Sequence, residues 1–473
     1  MKRTTTAAAI IAKWTCVIPG VLGSCATACR GSKNGSKPSK ALLAGNRLRR
    51  DNLQAVLPAN PLNPLSAAGH HTPRGRGTLR FSSQNHAALL CLLLALTSAA
   101  RSAAETPLAV PADDKPFRAE LVAADANWQL TFRSGGQPRV LPAGKLVQWG
   151  VCREPVREPM VVLADGGLLV ADVTAGDKET LTADSELFSL LKLPLELLAG
   201  VVFHPPAGRH ERDLFVDRIA QAGGQRDRLV LLNGDELIGL VESIGVDAMQ
   251  FRAEVGPLKI ETQRIAAVIF NPDLRQKPKQ QGLQAWAGFP DGSRLLAAEL
   301  LMSESTLQVT AVGQTWKAKP QELVFLQPLG GRVTYLSDLK PEGYRQVPFL
   351  DLSWPYHTDR NVTGGLMRCG GRLYLKGLGV HSAARLTYLL DQPYRRFEAE
   401  LGIDDSAGGG SVRFRVLLDG REKFASETIR GGQSPVPISV DVSGGKRLDL
   451  LVDYADQADV LDHADWLNAR LVR

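Results

Sequence analysis

The last third of this 473-residue chain concentrates residue types that could bind a sugar. Two tryptophans, one histidine and three aspartates lie there in positions that read as loops or strand ends. Aromatic rings pack on the apolar faces of a pyranose, and carboxylates or imidazoles bind its hydroxyls. The carbohydrate-binding candidates are Trp354, His381, Asp404, Asp405, Asp465 and Trp466.

Some of these candidates also have a purely structural alternative. Trp354 precedes a proline in a loop context that favours exposure, and Trp466 shares one side of its predicted strand with Asn468 and Arg470. A sandwich of this size usually buries at least one tryptophan, so either indole could instead lie in the core. His381 follows two closely spaced glycines, where it could contact a ligand or lock two loops by hydrogen bonds.

The acidic residues could also hold a cation. Calcium prefers several oxygen ligands, and the same region supplies four aspartates. No EF-hand spacing supports this site, and no Cys/His spacing supports zinc. Capping of turns is the structural alternative for these acids. The candidate calcium ligands are Asp404, Asp405, Asp462 and Asp465.

The usual catalytic motifs are missing from the sequence, which has no GxSxG elbow, HExxH helix or Walker loop. Glycoside hydrolysis needs two carboxyl groups that face each other about 5 to 9.5 Å apart. Asp404 and Asp405 are neighbours at a strand end and point to opposite faces, although Asp462 or Asp465 could pair with either. We therefore expect no enzyme. An unrecognised site in residues 105–330 is a weaker hypothesis, because that region has few histidines and no clustered acids.

The segments that must position these residues read as short strands. Residues 397–403 alternate apolar and polar side chains, and turn signals rich in Gly, Asp and Pro separate this run from its neighbours. Many short strands without intervening helices predict an antiparallel β-sandwich or jelly roll over residues 331–473. The predicted strands are 385–390, 396–403, 412–418, 438–442, 448–453 and 467–472.

The same region contains a series of short motifs, at residues 336–339, Trp354, 376–381, 402–405 and 462–466. Their order resembles the NPCBM family of carbohydrate-binding modules, which are attached to family 98 glycoside hydrolases. The resemblance covers under a third of the chain. It implies a galactose-binding-like β-sandwich that recognises galactose-type or related glycans. His381 matches the family's Gly-x-Gly-x-His element, and Asp404 and Asp405 match its glycine-hydrophobic-Asp-Asp element.

Residues 105–330 contain a weak internal repeat. Three copies carry an Asp-Gly or Asn-Gly turn inside a β-rich run and then close on an apolar run that ends in phenylalanine. Residues 117–149 read as a degenerate first copy. The pattern predicts small repeated β-units, as in SH3-like barrels or stacked sheets, with no chemistry of their own. The fold class is therefore mainly all-β, with one helix expected at residues 186–198 and a flexible join at 276–282.

The first 104 residues differ from the rest in charge. They hold 14 basic residues and one acidic residue, so the chain's formal charge of +7 becomes −6 for residues 105–473, which have 42 basic and 48 acidic residues. A basic nucleic-acid-binding body is therefore not expected. Residues 87–96 form an apolar run followed by small residues, which is typical of a secretory signal peptide. Since residues 1–80 precede it, we expect a misassigned extension and a translation start near Leu79.

The sequence favours an exported, non-catalytic protein that binds a glycan or polysaccharide and is secreted or held in the periplasm or cell envelope. No nucleic-acid partner is expected, and no transmembrane segment is expected after signal removal. The alternative is a structural or protein-interaction protein of the cell envelope whose sandwich no longer binds sugar. An exposed Trp354 beside His381 and a carboxylate would favour sugar binding, and a fully buried Trp354 would favour the scaffold.

Overall fold

The computed structural model describes residues 106–276 and 282–473, and its strands pair antiparallel throughout these ranges. The only α-helix within them is α1 (Arg209–Ala220). The prediction of a mainly all-β fold is confirmed. The predicted leader, residues 1–104, and residues 277–281 of the predicted join lie outside the described residues. No helix in the described ranges is long and apolar enough to cross a membrane.

The repeat region forms twenty-two strands in one hydrogen-bonded network. These strands are β1 (Leu108–Pro111), β2 (Phe117–Arg118), β3 (Glu120–Ala124), β4 (Gln129–Ser134), β5 (Gln137–Pro142), β6 (Leu146–Gly150), β7 (Met160–Leu163), β8 (Leu168–Val170), β9 (Asp172–Gly176), β10 (Thr180–Ser185), β11 (Ser189–Pro194), β12 (Leu198–Val202), β13 (Asp227–Leu231), β14 (Glu236–Gly245), β15 (Ala248–Ala253), β16 (Gly256–Glu261), β17 (Ile265–Ile269), β18 (Gln284–Gly288), β19 (Arg294–Met302), β20 (Leu307–Ala311), β21 (Gln314–Ala318) and β22 (Phe325–Leu329).

Four units in this region share one pairing scheme. The first strand of each unit pairs with the strand that closes it: β1 with β6, β7 with β12, β13 with β17, and β18 with β22. The closing strands also pair between units, β12 with β17 and β6 with β22. Every residue of β12 and β17 is buried. Burial of both faces explains why the closing segments read as continuous apolar runs rather than as alternating ones.

The prediction of a helix at residues 186–198 is wrong, because this segment contains β11, which forms a hairpin with β10. Leu191 and Leu193 lie in the core while Leu190 is 61% exposed, so the apolar period is that of a strand. The helix that does form, α1, was not predicted. Only two of its twelve residues are buried, and its apolar stripe is correspondingly weak.

The C-terminal region forms fourteen strands, most of them in two facing sheets. These strands are β23 (Val333–Tyr335), β24 (Gly343–Gln346), β25 (His357–Thr358), β26 (Met367–Cys369), β27 (Arg372–Tyr374), β28 (Gly377–His381), β29 (Ala384–Leu389), β30 (Arg396–Ile403), β31 (Ser411–Leu418), β32 (Arg421–Ala425), β33 (Ile429–Arg430), β34 (Val436–Asp441), β35 (Arg447–Tyr454) and β36 (His463–Val472).

The two sheets build the predicted antiparallel β-sandwich. One has the order β25-β28-β36-β30-β34 with β23 beside β36, and the other has the order β24-β29-β35-β31-β32 with β33 beside β31. The core between them contains Phe397, Phe414 and Trp466 among aliphatic side chains from both sheets. Its strands form where the sequence alternates apolar and polar residues, because alternate side chains point to opposite faces of a strand.

The sandwich packs against the repeat region through polar contacts. The Arg368 guanidinium donates to Glu154 Oε1 at 2.9 Å and to Asp213 of α1 at 2.5 Å. The Asn468 side-chain amide donates to Gln148 Oε1 at 3.0 Å. Side chains from both regions also share two small apolar clusters. The two regions are therefore joined by packing as well as by the chain.

Candidate functional site

Two histidines meet at one end of the sheet that contains β28 and β36. His381 and His463 are direct partners in the antiparallel register of these strands. The alternate residues Ala464 and Trp466 belong to the sandwich core. His463 and Asp465 therefore face away from the core, as does His381 on the neighbouring strand. The pairing places two imidazoles and a carboxyl group on the outer face of this sheet.

The Trp354 indole lies on top of the His381 ring. The two ring centroids are 4.7 Å apart and the planes differ by 3°, while His463 lies 5.9 Å from the indole in a tilted arrangement. The loop that carries Trp354 is fixed at its backbone, because the Trp354 N–H donates to Gln346 Oε1 at 3.2 Å and its carbonyl accepts from the Tyr344 hydroxyl at 2.7 Å. Trp354 is half-buried, so the indole both packs on the protein and meets solvent.

The two imidazoles are neutral at pH 7. Burial, together with the neighbouring His463, lowers the pKa of His381 to about 4. Burial also lowers the pKa of His463, although the nearby Asp404 opposes this shift. A neutral imidazole has one donor and one acceptor nitrogen. The Nδ1 atom of each ring is buried and has no hydrogen-bond partner among the described residues.

Two further polar groups adjoin these histidines in the chain. The side chains of Ser382 and Asp462 are buried next to each other, and neither Ser382 Oγ nor Asp462 Oδ2 makes a hydrogen bond of normal geometry in the part of the chain that the structure describes. Burial raises the pKa of the Asp462 carboxyl to about 6, although the Ser411 N–H, which donates to its Oδ1 at 2.9 Å, and the Ser382 hydroxyl oppose the shift. An unpaired buried polar atom costs about 1–3 kcal/mol. Four such atoms in one place indicate a site that a polar ligand or water completes.

The carboxyl groups of Asp404 and Asp465 belong to a buried network beside the histidines. Asp404 Oδ1 accepts from the Asn361 amide at 3.0 Å and from the Ser406 N–H at 2.9 Å, and its Oδ2 accepts from the Arg368 N–H at 2.8 Å. Asp465 is 0% exposed. Burial raises the pKa of Asp465 far above its usual value, and the neighbouring Asp404 raises it further. In its protonated form Asp465 can donate a hydrogen bond to Asp404.

The four acids proposed as calcium ligands do not fit a calcium ion. Asp405 is exposed and both its oxygens accept from backbone N–H groups, of Gly370 at 3.0 Å and Gly371 at 2.8 Å. Asp404 and Asp462 also receive backbone donors, and a protonated carboxyl is a poor ligand for a cation. Within residues 106–276 and 282–473, no group of three or more His, Cys, Asp or Glu side chains is arranged to hold a metal.

Trp466 is a core residue and not a surface ligand-binding residue, which corrects the prediction. It is 1% exposed and packs edge-to-face on Phe414, with ring centroids 4.9 Å apart. Simple alternation along the strand placed Trp466 on the polar side with Asn468. The ladder between β30 and β36 contains an irregularity opposite Glu398 and Glu400, and Asn468 there has a φ of 49°. This bulge reverses the alternation, so Trp466 faces the core.

His463, Ser382 and Asp462 complete the site, and the sequence did not predict the first two as ligand-binding residues. Asp462 was predicted only as a metal ligand. His463 lies inside the short motif at residues 462–466, and Ser382 follows His381 directly. The missing information was the strand register, which alone brings His463 opposite His381. Of the six predicted residues, the structure brings together Trp354 and His381, with Asp404 and Asp465 behind them.

Part of this chain is similar to parts of two known proteins. A candidate endo-alpha-N-acetylgalactosaminidase of Renibacterium salmoninarum is 34% identical over 110 residues, which cover 23% of this chain and 7% of that protein. Alpha-1,3-galactosidase B of Akkermansia muciniphila is 32% identical over 115 residues, which cover 23% of this chain and 14% of that protein. This chain therefore matches only a small part of either relative.

A solved structure is also similar to this region. The CBM51 from Clostridium perfringens GH95, in complex with methyl-galactose, is 26% identical, with a TM-score of 0.27. The match covers 30% of this chain and 99% of that one. The family match itself spans residues 332–472, which include Trp354, His381, Asp462 and His463. Residues 332–472 of this chain match the model of the NPCBM/NEW2 domain.

Proposed function

We propose that this protein is an exported, non-catalytic glycan-binding protein and that its NPCBM/NEW2 domain holds the sugar. The observation that carries the proposal is the Trp354–His381 stack beside four buried polar atoms without partners. An aromatic ring and neutral imidazoles supply the apolar face and the hydrogen bonds that a pyranose needs. The indole is neither exposed nor fully buried, and the part of it that solvent reaches, next to His381, supports sugar binding over a scaffold.

Galactose-type sugars are the ligands we infer for the site. Both relatives have names that refer to galactose or N-acetylgalactosamine linkages, and the NPCBM resemblance implies the same class. We infer that the site binds the terminal sugar of a glycan, because Trp354 is only half-buried and so lies near the protein surface. The activities of these relatives are not part of the proposal.

The absence of catalysis is supported by the positions of the carboxyl groups. Asp404 and Asp465 are buried, at 1% and 0% exposure, and lie beside each other instead of on opposite sides of an open cleft. Asp405 points to backbone donors of a turn. Retaining and inverting glycosidases need two carboxyl groups on opposite sides of an accessible sugar. The described residues of this domain do not offer that arrangement.

A structural or protein-interaction role in the cell envelope is the second candidate. Leu232, Ile238 and Leu240 in the repeat region are 58%, 54% and 42% exposed. Ile238 and Leu240 are alternate residues of β14 and share one face of the strand, and contiguous exposed apolar side chains are typical of surfaces that contact another protein. This role is compatible with sugar binding by the C-terminal domain, and it would stand alone if the domain bound no glycan.

Glycan-array binding of the full chain tests the proposal, in the presence and absence of calcium. The expected result is selective binding to galactose-terminated glycans, without a calcium requirement, that Trp354→Ala abolishes. Trp128→Ala is the matched control, since Trp128 is also half-buried but lies in the repeat region. Each variant is checked for folding by circular dichroism. Silence of the wild-type protein across a broad array would favour the envelope scaffold.

A further inference from the structure

The loop that carries Trp354 continues past the histidine site and lines a second cleft. The loop begins after β24, where the Val347 N–H donates to the Ala383 carbonyl at 2.9 Å and the Gln346 amide lies 3.4 Å from the Ser382 carbonyl. It is therefore hydrogen-bonded along the residues that directly follow His381. Trp354 at its far end stacks on His381, so the histidine site and the second cleft share this loop.

The second cleft has a volume of about 530 Å³ and adjoins the histidine site across Ser382. Two aromatic rings form its wall. Phe349 and Tyr454 are 53% and 48% exposed, and their rings meet edge-to-face with centroids 6.1 Å apart. The volume lies within the range of about 300–1,000 Å³ that is typical of small-ligand sites. The lining residues are Val347, Pro348, Phe349, Ala383, Asp453 and Tyr454.

The chemistry of this cleft is that of a sugar site. Exposed aromatic rings provide apolar faces, and the Asp453 carboxylate and the Tyr454 hydroxyl provide hydrogen-bond partners for hydroxyl groups. Asp453 is held in place by the Arg415 guanidinium, which donates to its Oδ2 at 3.2 Å. The lining residues carry one carboxylate and no cationic side chain. A neutral sugar therefore fits the cleft better than a sialylated or sulfated one.

We propose that this cleft is a second subsite, which binds the sugar residue next to the terminal one. The inference rests on the proposed function and adds to it that the ligand is a neutral oligosaccharide of at least two residues. The terminal sugar lies at Trp354 and the histidines, and the next residue lies against the wall that Phe349 and Tyr454 form together. Trp354 and Phe349 belong to the same loop, so the two aromatic platforms lie on one segment of the chain.

Isothermal titration of the full chain with galactose and with the disaccharide Galα1-3Gal tests the inference. The wild-type protein should bind the disaccharide about fivefold more tightly than galactose, since an added stacking contact contributes about 1 kcal/mol. Phe349→Ala and Tyr454→Ala should remove this gain and leave the affinity for galactose unchanged. Val140→Ala, a change at another exposed apolar side chain, should leave both affinities unchanged.

Two results separate failure of the inference from failure of the proposed function. If galactose binds in a Trp354-dependent manner but the disaccharide binds no more tightly, or if Phe349→Ala weakens both ligands equally, the second subsite is wrong and the glycan-binding function stands. If neither sugar binds to the folded wild-type protein, the galactose-type function fails and the subsite fails with it.

Discussion

The Trp354 indole and the His381 imidazole lie parallel to within 3°, with ring centroids 4.7 Å apart. His381 is 3% exposed, and the indole covers one face of its ring. Burial is the main reason that its pKa lies near 4 instead of 6.5. The stack therefore couples the shape of the site to the charge of the histidine, because a tryptophan that keeps water away also keeps the imidazole neutral.

Replacement of Trp354 should change the titration of His381. Trp354→Ala exposes the imidazole, so the pKa of His381 should rise from about 4 towards its ordinary value of 6.5. An NMR titration of the imidazole Cε1 proton measures this pKa in the full chain. Trp128→Ala should leave it near 4. An unchanged pKa in folded Trp354→Ala would mean that the strands, and not the indole, desolvate His381.

Asp462→Asn should alter how stability depends on pH. The carboxyl pKa is raised from 3.8 in the unfolded chain to about 6 in the folded protein. Between these values the folded state holds a proton that the unfolded state has lost, so wild-type stability falls as pH rises through this window. Asparagine cannot titrate, so the free energy of unfolding of the variant should rise relative to wild type by up to about 3 kcal/mol between pH 4 and 7.

Urea unfolding of both proteins at several pH values measures this difference. Other titrating groups are shared by the two proteins and largely cancel in the comparison. Asp441→Asn is a suitable control. Asp441 is an exposed residue at the end of a strand, and hydrogen bonds from Ser443 lower its pKa. Its pH-dependent difference should therefore have the opposite sign. A difference between Asp462→Asn and wild type that stays constant with pH would show that this carboxyl is ionised in the folded state.

Asp465→Asn should fold with nearly wild-type stability. Asp465 is fully buried, and burial favours its protonated form by raising its pKa well above the usual value. Asparagine preserves its shape and a donor for Asp404, so the free energy of unfolding should change by less than about 1 kcal/mol, whereas Asp465→Ala should lose about 1–3 kcal/mol. Urea unfolding at pH 7 gives both values. A large loss with asparagine would indicate that Asp465 carries a charge.

Arg368→Met should destabilise the contact between the two regions. The guanidinium pairs with Asp213 and Glu154, and the Asp213 side chain is only 7% exposed. Removing one partner of a buried ion pair costs about 3–5 kcal/mol, because the other charge stays buried. Arg415→Met, which breaks a far more exposed ion pair with Asp453, should cost less than about 1 kcal/mol.

Thermal unfolding of the full chain compares these variants. Adding Asp213→Asn to Arg368→Met should recover part of the lost stability, because it removes the charge left without a partner. If Arg368→Met and Arg415→Met proved equally mild, the contact between the sandwich and α1 would contribute little to stability.

The sequence by itself determined the fold class and two residues of the site, Trp354 and His381. Apolar and polar side chains alternate over residues 397–403, and this pattern is local, so it correctly predicted strand β30. Local sequence also predicted the loop around Trp354 and the close backbone approach at the glycines before His381. Turn chemistry likewise pointed to the capping role of Asp404, whose Oδ1 accepts from the Ser406 N–H.

Only the tertiary structure decided which residues meet. His463 lies opposite His381 because of the register between β28 and β36, and Trp466 turns into the core because of one bulge at Asn468. Register and bulges are set by hydrogen bonds between segments that are distant in the chain. A shift of one residue moves every following side chain to the other face of the sheet, and local patterns cannot fix that shift.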